Sequence, residues 1–238
     1  MDLVIAENVS KDYITGKIAV RALEEVSFGI APGSFVSFVG PSGSGKTTLL
    51  NLIGCLDRPT LGKLTVAGTD IARLDRRSSA LFRGQNIGFI FQDFNLIPVL
   101  TVYENVEYPL VMVHDVDIKD RKKKVMELIE DVGIGAERNK YPDQLSGGQK
   151  QRVAVARALV TAPKLVLADE PTANLDSHTA AMIIGLMKKM RDSLGTTFIF
   201  STHDMRIVDT AEVIHTLRDG KLTDTMKKNA KKRGVHDV

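Results

Sequence analysis

The feature that most constrains this chain is a glycine-rich loop that connects an apolar strand to a helix. The loop matches the pattern G-x-x-x-x-G-K-[ST] with the residues Gly40-Pro41-Ser42-Gly43-Ser44-Gly45-Lys46-Thr47. Residues 35–39 before it are apolar and rich in strand formers, and residues 46–53 after it have a helical pattern. Glycine lets successive backbone N–H groups turn inward around a phosphate, and the positive N-terminus of the helix faces the same anion. The loop therefore predicts a nucleotide-binding α/β core.

Side chains suited to a magnesium nucleotide occur in this loop and at the end of another apolar strand. Lys46 can reach the β- and γ-phosphates, and the Thr47 hydroxyl can bind Mg²⁺. Residues 165–168 form an apolar strand that leads into Asp169 and Glu170. Asp169 is expected to hold the Mg²⁺ shell through water, and Glu170 to polarise the attacking water. Adjacent strand residues point in opposite directions, so the two acids need not share a role.

Strand and helix patterns alternate on both sides of a helical region. Strand patterns occupy residues 3–9, 18–30, 87–91, 165–168 and 197–200, and residues 214–217 before Asp219-Gly220 suggest a closing hairpin. Helical patterns occupy residues 102–111, 119–132 and 147–162. We therefore expect an α/β core with a helical lobe inserted at about residues 93–162.

Composition excludes a collagen-like chain, a disordered polymer and a disulfide-rich scaffold. Hydrophobic residues are 43% of the 238 and charged residues 26%, which is typical of a soluble globular domain. The sequence contains no run of about 18 apolar residues and no signal-peptide pattern, so we expect neither a membrane span nor secretion. The single cysteine, Cys55, lies in an apolar run and is expected to be buried and unpaired in a reducing compartment.

The net charge of +3 is concentrated at the C-terminus. Residues 226–238 carry +4, so the preceding 225 residues carry −1. A nearly neutral body with a basic tail is not the charge pattern of a nucleic-acid-binding protein. The tail is expected to be disordered and solvated, with a weak attraction to anionic lipid headgroups as the alternative.

A second glycine motif, Leu145-Ser146-Gly147-Gly148-Gln149, precedes a helical pattern. Ser146 is a suitable N-cap and Gln149 stands in capping-box position, so one interpretation is a well-capped helix. The other is a second anion site at a helix N-terminus with little side chain to cover it. Two copies arranged head to tail would let each nucleotide contact both glycine motifs.

This second motif resembles the signature of the ABC ATPases, and the order of motifs around it is that of the same family. The resemblance covers residues 1–222. It implies a P-loop NTPase core with an edge antiparallel β-subdomain and an inserted α-helical subdomain. Residues 1–225 would form one nucleotide-binding domain, with a RecA-like core at 1–92 and 163–225, the helical subdomain at about 93–162, and a basic tail at 226–238.

The resemblance also implies roles within one chain. Residues 40–48, which include Thr48, would wrap the triphosphate of ATP. Gln92 would reach both Mg²⁺ and the attacking water, and His203 would sense the γ-phosphate. Tyr13 would stack on adenine.

Other implied contacts lie between chains. Ser146, Gly147 and Gly148, with Gln149, would contact the nucleotide held by a second copy, and Asp176 would lie at the seam between the copies. Residues 94–110 would line a groove for a helix of a membrane permease. Asn174 departs from the pattern, because many relatives have alanine there.

Residues 54–60 and 91–98 resemble the subfamily of lipoprotein-release and macrolide-export transporters. This resemblance implies an ATP-hydrolysing subunit, peripheral on the cytoplasmic face of the cell membrane, that drives export or extraction of a lipoprotein, drug or peptide. The main alternative is a non-transporting regulator of the cell-division type, which would signal through a membrane partner.

Three further classes are excluded by particular features. A GTPase would need Asn-Lys-x-Asp, and residues 139–142 fail at the last position. A chromosome-maintenance ABC protein would need coiled-coil arms between the two glycine motifs, for which the sequence has no room. Translation-type ABC proteins carry two cassettes, and this chain has one set of motifs.

Overall fold

The computed structural model describes residues 1–16, 18–113 and 117–228, which form two sheets and seven helices. The strands are β1 (Val4–Thr15), β2 (Ile18–Ile30), β3 (Phe35–Val39), β4 (Leu61–Val66), β5 (Thr69–Asp70), β6 (Ile87–Ile90), β7 (Leu165–Asp169), β8 (Thr197–Ser201), β9 (Val213–Arg218) and β10 (Lys221–Lys227). The helices are α1 (Lys46–Ile53), α2 (Arg76–Asn86), α3 (Val102–Val113), α4 (Ile118–Asp131), α5 (Gly147–Leu159), α6 (Ser177–Leu194) and α7 (Met205–Thr210).

The larger sheet has six strands in the order β10-β9-β3-β8-β7-β6. The four pairings between neighbouring strands from β9 to β6 are parallel, and β10 closes the sheet as an antiparallel hairpin with β9. The predicted hairpin is therefore present, with Asp219 and Gly220 both at positive φ in its turn. Parallel strands end at the same edge of a sheet, so the loops after β3, β6, β7 and β8 meet there.

The smaller sheet is antiparallel, in the order β2-β1-β4-β5. Strand β1 continues past the predicted residue 9 to Thr15, through register shifts against β2. Bulges of this kind break the alternation of apolar residues, which is why the sequence pattern ended early. Strands β4 and β5 and helix α2 were not predicted.

Helix α1 lies in a core that both sheets share. Leu49 and Leu52 of α1 belong to the same buried cluster as Leu23 of β2 and Phe38 of β3. Cys55, just after α1, is buried as predicted, and burial raises the pKa of its thiol to about 11.

The helical subdomain lies on the other side of the large sheet. Helices α3, α4 and α5 follow β6 and precede β7 in sequence, and their apolar faces join one cluster with the large sheet. Val106, Val125 and Val153 represent the three helices in that cluster, together with Phe198 of β8. The mixed α/β fold expected from the sequence is confirmed.

Two observations concern the ends of the molecule and the membrane. Met226 and Lys227, which the sequence analysis assigned to the basic tail, belong to β10, and residues 229–238 lie outside the described residues. In the ranges that the structure covers, no helix is both long and apolar enough to cross a bilayer.

Candidate functional site

A cavity of about 570 Å³ opens where the large sheet's parallel strands end. It is lined by Ala22 of β2, residues 40–48 and residues at or just after the ends of β6, β7 and β8, namely Gln92, Asp169, Glu170, Ala173, Ser201 and His203. The structure thus brings together Gly40, Pro41, Ser42, Gly43, Ser44, Gly45, Lys46, Thr47, Thr48, Gln92, Asp169, Glu170 and His203, all of which were predicted.

Two glycines of the loop are required by close contacts with neighbouring strands. A Cβ on Gly40 would collide with the carbonyl oxygen of Leu217 in β9, and one on Gly45 would lie 2.6 Å from the carbonyl oxygen of Ala22. Both residues have positive φ. The loop is also held by a hydrogen bond from the Gly220 N–H to the Ser44 carbonyl, at 3.1 Å. The loop conformation is therefore fixed by β2 and by the β9–β10 hairpin.

Several polar groups in this cavity are suited to an anion. Lys46 is buried, and its Nζ donates to the carbonyls of Gly40 and Pro41 at 2.8 and 2.9 Å. The hydroxyls of Ser44 and Ser201 are buried and have no hydrogen-bond partner among the described residues. Buried hydroxyls without partners are rare, and here they line a cavity in which phosphate oxygens could accept from them.

The residues at the metal position carry hard oxygen ligands. The Thr47 hydroxyl donates to Asp169 Oδ2 at 3.1 Å, although the two residues are 122 positions apart. A hydroxyl and a carboxylate next to a phosphate loop fit Mg²⁺, which binds few protein ligands and takes the rest from phosphates and water. Within the described ranges, no group of three or more His, Cys, Asp or Glu residues is arranged to hold a metal.

Glu170 is held by two side chains that follow the neighbouring strand β8. Its Oε1 lies 2.8 Å from His203 Nδ1, and its Oε2 accepts from the Thr202 hydroxyl at 3.1 Å. Its backbone has a positive φ of 44°, and its N–H donates to the Ser201 carbonyl. This strained turn directs the carboxylate of Glu170 into the cavity, separately from Asp169.

The turn that carries Gln92 is held from two directions. Asn174, in the loop after β7, donates from Nδ2 to the Gln92 carbonyl at 3.1 Å and to Asp93 Oδ1 at 3.0 Å. Arg157 of α5 donates to the carbonyls of Phe94 and Asn95, both of which have positive φ. The amide of Asn174, which stands where alanine was expected, therefore connects the loop after Asp169 and Glu170 to the turn of Gln92.

The second glycine motif does not line the cavity of its own chain. It begins α5 with the predicted capping box. The Ser146 hydroxyl accepts from the Gln149 N–H at 3.3 Å, and Gln149 Oε1 accepts from the Ser146 N–H at 2.9 Å. Gly148 packs against α6, where a Cβ would lie 2.5 Å from Thr179 Cγ2. The capped-helix interpretation is therefore correct for this structure.

Asp176 and Tyr13 also lie outside the lining of the cavity. Asp176 is exposed and caps α6, accepting from the N–H groups of His178 and Thr179 at 3.0 Å each. The Tyr13 hydroxyl donates to Asp57 Oδ2 at 2.9 Å, and the Lys11 Nζ lies 4.8 Å from the centre of the ring. Burial and the Asp57 hydrogen bond raise the pKa of Tyr13, and a hydrogen bond with Thr48 of α1 acts in the opposite direction.

Sequence reasoning missed the supporting residues Thr202, Ser201 and Ala22. The run from Ser201 to Asp204 was recognised for His203 alone, and the pairing of Asp169 with Ser201 is what brings the Ser201 carbonyl and the Thr202 hydroxyl to Glu170. For Ser201 and Thr202, their position at the end of an apolar strand was the available signal, whereas Ala22 lies within β2 and had none.

Comparison with known proteins identifies the family. Residues 23–173, more than half of the chain, match the family described as ABC transporter. The chain belongs to the ABC transporter family. It is an ATPase of the ABC type, and it contains the ATP-binding cassette.

Its relatives include transport proteins of two kinds. The lipoprotein-releasing system ATP-binding protein LolD of Anaeromyxobacter dehalogenans is 46% identical, over 90% of each chain. The macrolide export ATP-binding/permease protein MacB of Syntrophobacter fumaroxidans is 42% identical over 92% of this chain and 31% of its own length. These relatives confirm the resemblance to the lipoprotein-release and macrolide-export proteins.

A solved structure resembles the whole ABC cassette. The dimeric structure of a post-hydrolysis state of the ATP-binding cassette MJ0796 of Methanocaldococcus jannaschii, bound to ADP and Pi, is 42% identical. It superposes with a TM-score of 0.88 over 96% of this chain and 100% of that one.

Tyr13→Ala is expected to raise the KM for ATP at least about 5-fold, which corresponds to one lost base–aromatic stack. It should lower kcat less, because stacking on adenine is equally strong in the ground state and the transition state. Tyr13→Phe keeps the ring and loses only the Asp57 hydrogen bond, so its KM should stay near that of the parent. Steady-state kinetics check this. An unchanged KM in the alanine variant, or an equal rise in both variants, would assign Tyr13 to packing instead.

Proposed function

We propose that this ATPase is the energy-supplying subunit of a membrane transporter and that it works as a head-to-tail pair of chains. The observation that carries the proposal is the separation of the two glycine motifs. The phosphate loop and both acids line one cavity, whereas the N-terminus of α5, with Ser146 and Gly147, lies outside it. The dimeric form in which MJ0796 was solved supports this arrangement.

In the proposed reaction, Glu170 accepts a proton from the water that attacks the γ-phosphorus of ATP. The bond to the β–γ bridging oxygen breaks, and ADP leaves with the electron pair. Lys46 and the loop N–H groups bind the phosphates, and His203 Nδ1 donates to the Glu170 carboxylate, 2.8 Å away. Mg²⁺, held by Thr47, Asp169 and Gln92, would neutralise charge that develops on the phosphates.

A dimer would complete this site. The N-terminus of α5 in the second chain would place Ser146, Gly147, Gly148 and Gln149 against the γ-phosphate, with the positive end of the helix directed at it. Asp176 is exposed, as a residue at the seam should be. ATP would therefore act as part of the contact between the chains, and hydrolysis would weaken that contact.

A groove between α2 and the helical subdomain is the proposed contact with the permease. A cavity of about 230 Å³ there is lined by Phe89, Phe91, Asn95, Pro109 and Arg157, among others. Asn95 and Pro109 belong to residues 94–110, the segment predicted to line such a groove. The turn of Gln92 lies between this groove and the nucleotide cavity, so a shift of that turn could connect nucleotide state to the membrane subunit.

The cargo class is proposed from the relatives. The names of LolD and MacB refer to lipoprotein release and macrolide export, and these support export or extraction of a lipoprotein, drug or peptide. The ATPase would then act as a peripheral subunit on the cytoplasmic face of the cell membrane.

Val99→Asp tests the permease contact. Of the apolar residues after Gln92, Val99 is 77% exposed, whereas Leu96 packs against the core. A charge at position 99 should therefore leave folding and basal ATP hydrolysis intact and abolish recovery of the integral membrane subunit with the tagged chain.

Ile118→Asp is the matched control, because Ile118 is 70% exposed, begins α4 and lies outside residues 94–110, the segment predicted to line the groove. Equal recovery of the membrane subunit with parent, Val99→Asp and Ile118→Asp chains would contradict this docking position.

A further inference from the structure

A second large cavity lies between the end of α1 and the helix α2. Its volume is about 590 Å³, close to that of the nucleotide cavity. It is lined by Cys55, Leu56, Asp57, Arg58, Ile71, Arg76, Ser79, Ala80 and Arg83. Four of these belong to α2 at helical spacing, so one face of α2 forms a wall of the cavity.

Three arginines line this cavity without an acidic partner. Neither Arg58 nor Arg76 nor Arg83 lies within 4.0 Å of a carboxylate oxygen in the part of the chain that the structure describes. Two of them are held by backbone carbonyls instead. Arg83 Nη1 donates to Cys55 at 2.8 Å, and Arg58 Nη2 donates to Leu74. The guanidinium groups are therefore positioned but not neutralised.

The nearest acidic groups are already engaged elsewhere. Asp57 Oδ1 accepts from Lys11 Nζ at 2.6 Å, and its Oδ2 accepts from the Tyr13 hydroxyl. Asp75 caps α2 by accepting from the Ser78 N–H at 2.7 Å. Cys55 adds no charge, because burial keeps its thiol protonated at neutral pH. The cavity therefore has a positive potential.

Arginine cannot lose its proton in a protein, so this positive charge is permanent. Its planar group forms paired hydrogen bonds with the oxygens of a phosphate, and these charge-assisted bonds are stronger than neutral ones. Gathering three such groups costs repulsion, which a bound anion would relieve. A phosphate group fits this arrangement better than an apolar or cationic ligand.

We propose that the cavity formed by Arg58, Arg76 and Arg83 binds a phosphate-bearing anion. The phosphate belongs either to an anionic lipid headgroup or to a soluble phosphate compound. The lipid source has support from position, since Gly84, one turn after Ala80 on α2, lines the groove proposed for the permease. Asp57 lines the cavity and accepts a hydrogen bond from Tyr13, so an anion in the cavity would also lie near the proposed adenine position.

The test uses the full chain with its nucleotide cavity filled by excess ADP. One arm measures binding of pyrophosphate by calorimetry, and the other measures flotation with phosphatidylglycerol vesicles against phosphatidylcholine vesicles. Arg76→Ala is the main variant, because Arg76 is exposed and its loss leaves no buried group unpaired. Arg83→Ala is the second variant. Arg77→Ala is the control, since Arg77 neighbours Arg76 on α2 and does not line the cavity.

Arg76→Ala and Arg83→Ala should each weaken binding about 10-fold, as expected for a lost charge-assisted hydrogen bond, whereas Arg77→Ala should change it less than about 2-fold. Binding of pyrophosphate with this pattern identifies a soluble source, and binding of phosphatidylglycerol vesicles alone, with the same pattern among the variants, identifies a lipid headgroup. Absence of both, or equal losses in Arg76→Ala and Arg77→Ala, overturns the proposal. The proposal would also be overturned if the parent bound neither probe and the Arg76→Ala chain no longer recovered the membrane subunit. That result would make the cavity a protein contact.

Discussion

Replacing Glu170 by glutamine is expected to reduce ATP hydrolysis by at least about 10²–10⁴-fold, the usual effect of losing a general base. ATP should still bind, because Thr47 and Asp169, which would hold Mg²⁺, are unchanged. The local geometry should also survive. A glutamine side chain can form hydrogen bonds with both His203 Nδ1 and the Thr202 hydroxyl, the two groups that Glu170 contacts at 2.8 and 3.1 Å. The variant therefore isolates the charge of the carboxylate.

The same substitution should trap a dimer. Removing a negative charge near the γ-phosphate relieves repulsion where two chains close around ATP. The variant should accumulate as an ATP-bound pair that elutes earlier than the monomer in size-exclusion chromatography. Asp169→Asn is the matched control, since it should weaken Mg²⁺ binding and give no trapped dimer. A Glu170→Gln protein that stays monomeric at saturating ATP and hydrolyses it at the parent rate would contradict both the role of Glu170 and the paired arrangement.

The parts of the fold that the sequence predicted are those with a strong periodic pattern. Strands β3, β7 and β8 are short buried apolar runs, and a run of this kind is typical of a parallel strand covered on both faces. Helix α2 was missed because its sequence is mostly polar and only Ser79 in it is buried. Strand β4 was missed because it begins with Leu61, Gly62 and Lys63, all exposed, and glycine and lysine are depleted in strands.

The chemistry of the candidate site followed from motifs, but its contacts did not. Lys46, Asp169 and Glu170 could be assigned because a phosphate loop and an acid after a strand have specific physical requirements. The pair formed by Glu170 and His203 depends on the neighbouring positions of β7 and β8, and the contact between Asn174 and Gln92 spans 82 positions. Sequence spacing carries no information about such contacts unless the strand order is known.

The second large effect is expected from mixed dimers. Lys46→Ala should remove hydrolysis because the cation that binds the phosphates is lost. Gly147→Asp should remove it because a carboxylate at the start of α5 would repel the γ-phosphate. Position 147 has room, since a Cβ there meets Leu175 at 3.4 Å, and an acid stabilises a helix N-terminus. Ser146→Arg is less clean, because it also removes the cap of α5, worth about 1 kcal/mol.

Suppose that each hydrolytic site of a dimer combines the phosphate loop of one chain with the second glycine motif of the other. A dimer of either variant alone then has both of its sites damaged. A mixed pair has one site with both defects and one site with neither. At equal concentrations half of the dimers are mixed, so activity should return to at most about one quarter of the parent value. Two chains that hydrolyse independently would gain nothing from mixing.

The most direct test of the shared site is therefore the ATPase rate of an equimolar mixture of Lys46→Ala and Gly147→Asp chains, compared with each variant alone at the same total concentration. The account predicts a rate clearly above both variants, which increases with total protein as dimers form. A mixture that hydrolyses ATP no faster than the mean of the two variants, while mixed dimers are shown to form, would contradict a hydrolytic site built from two chains.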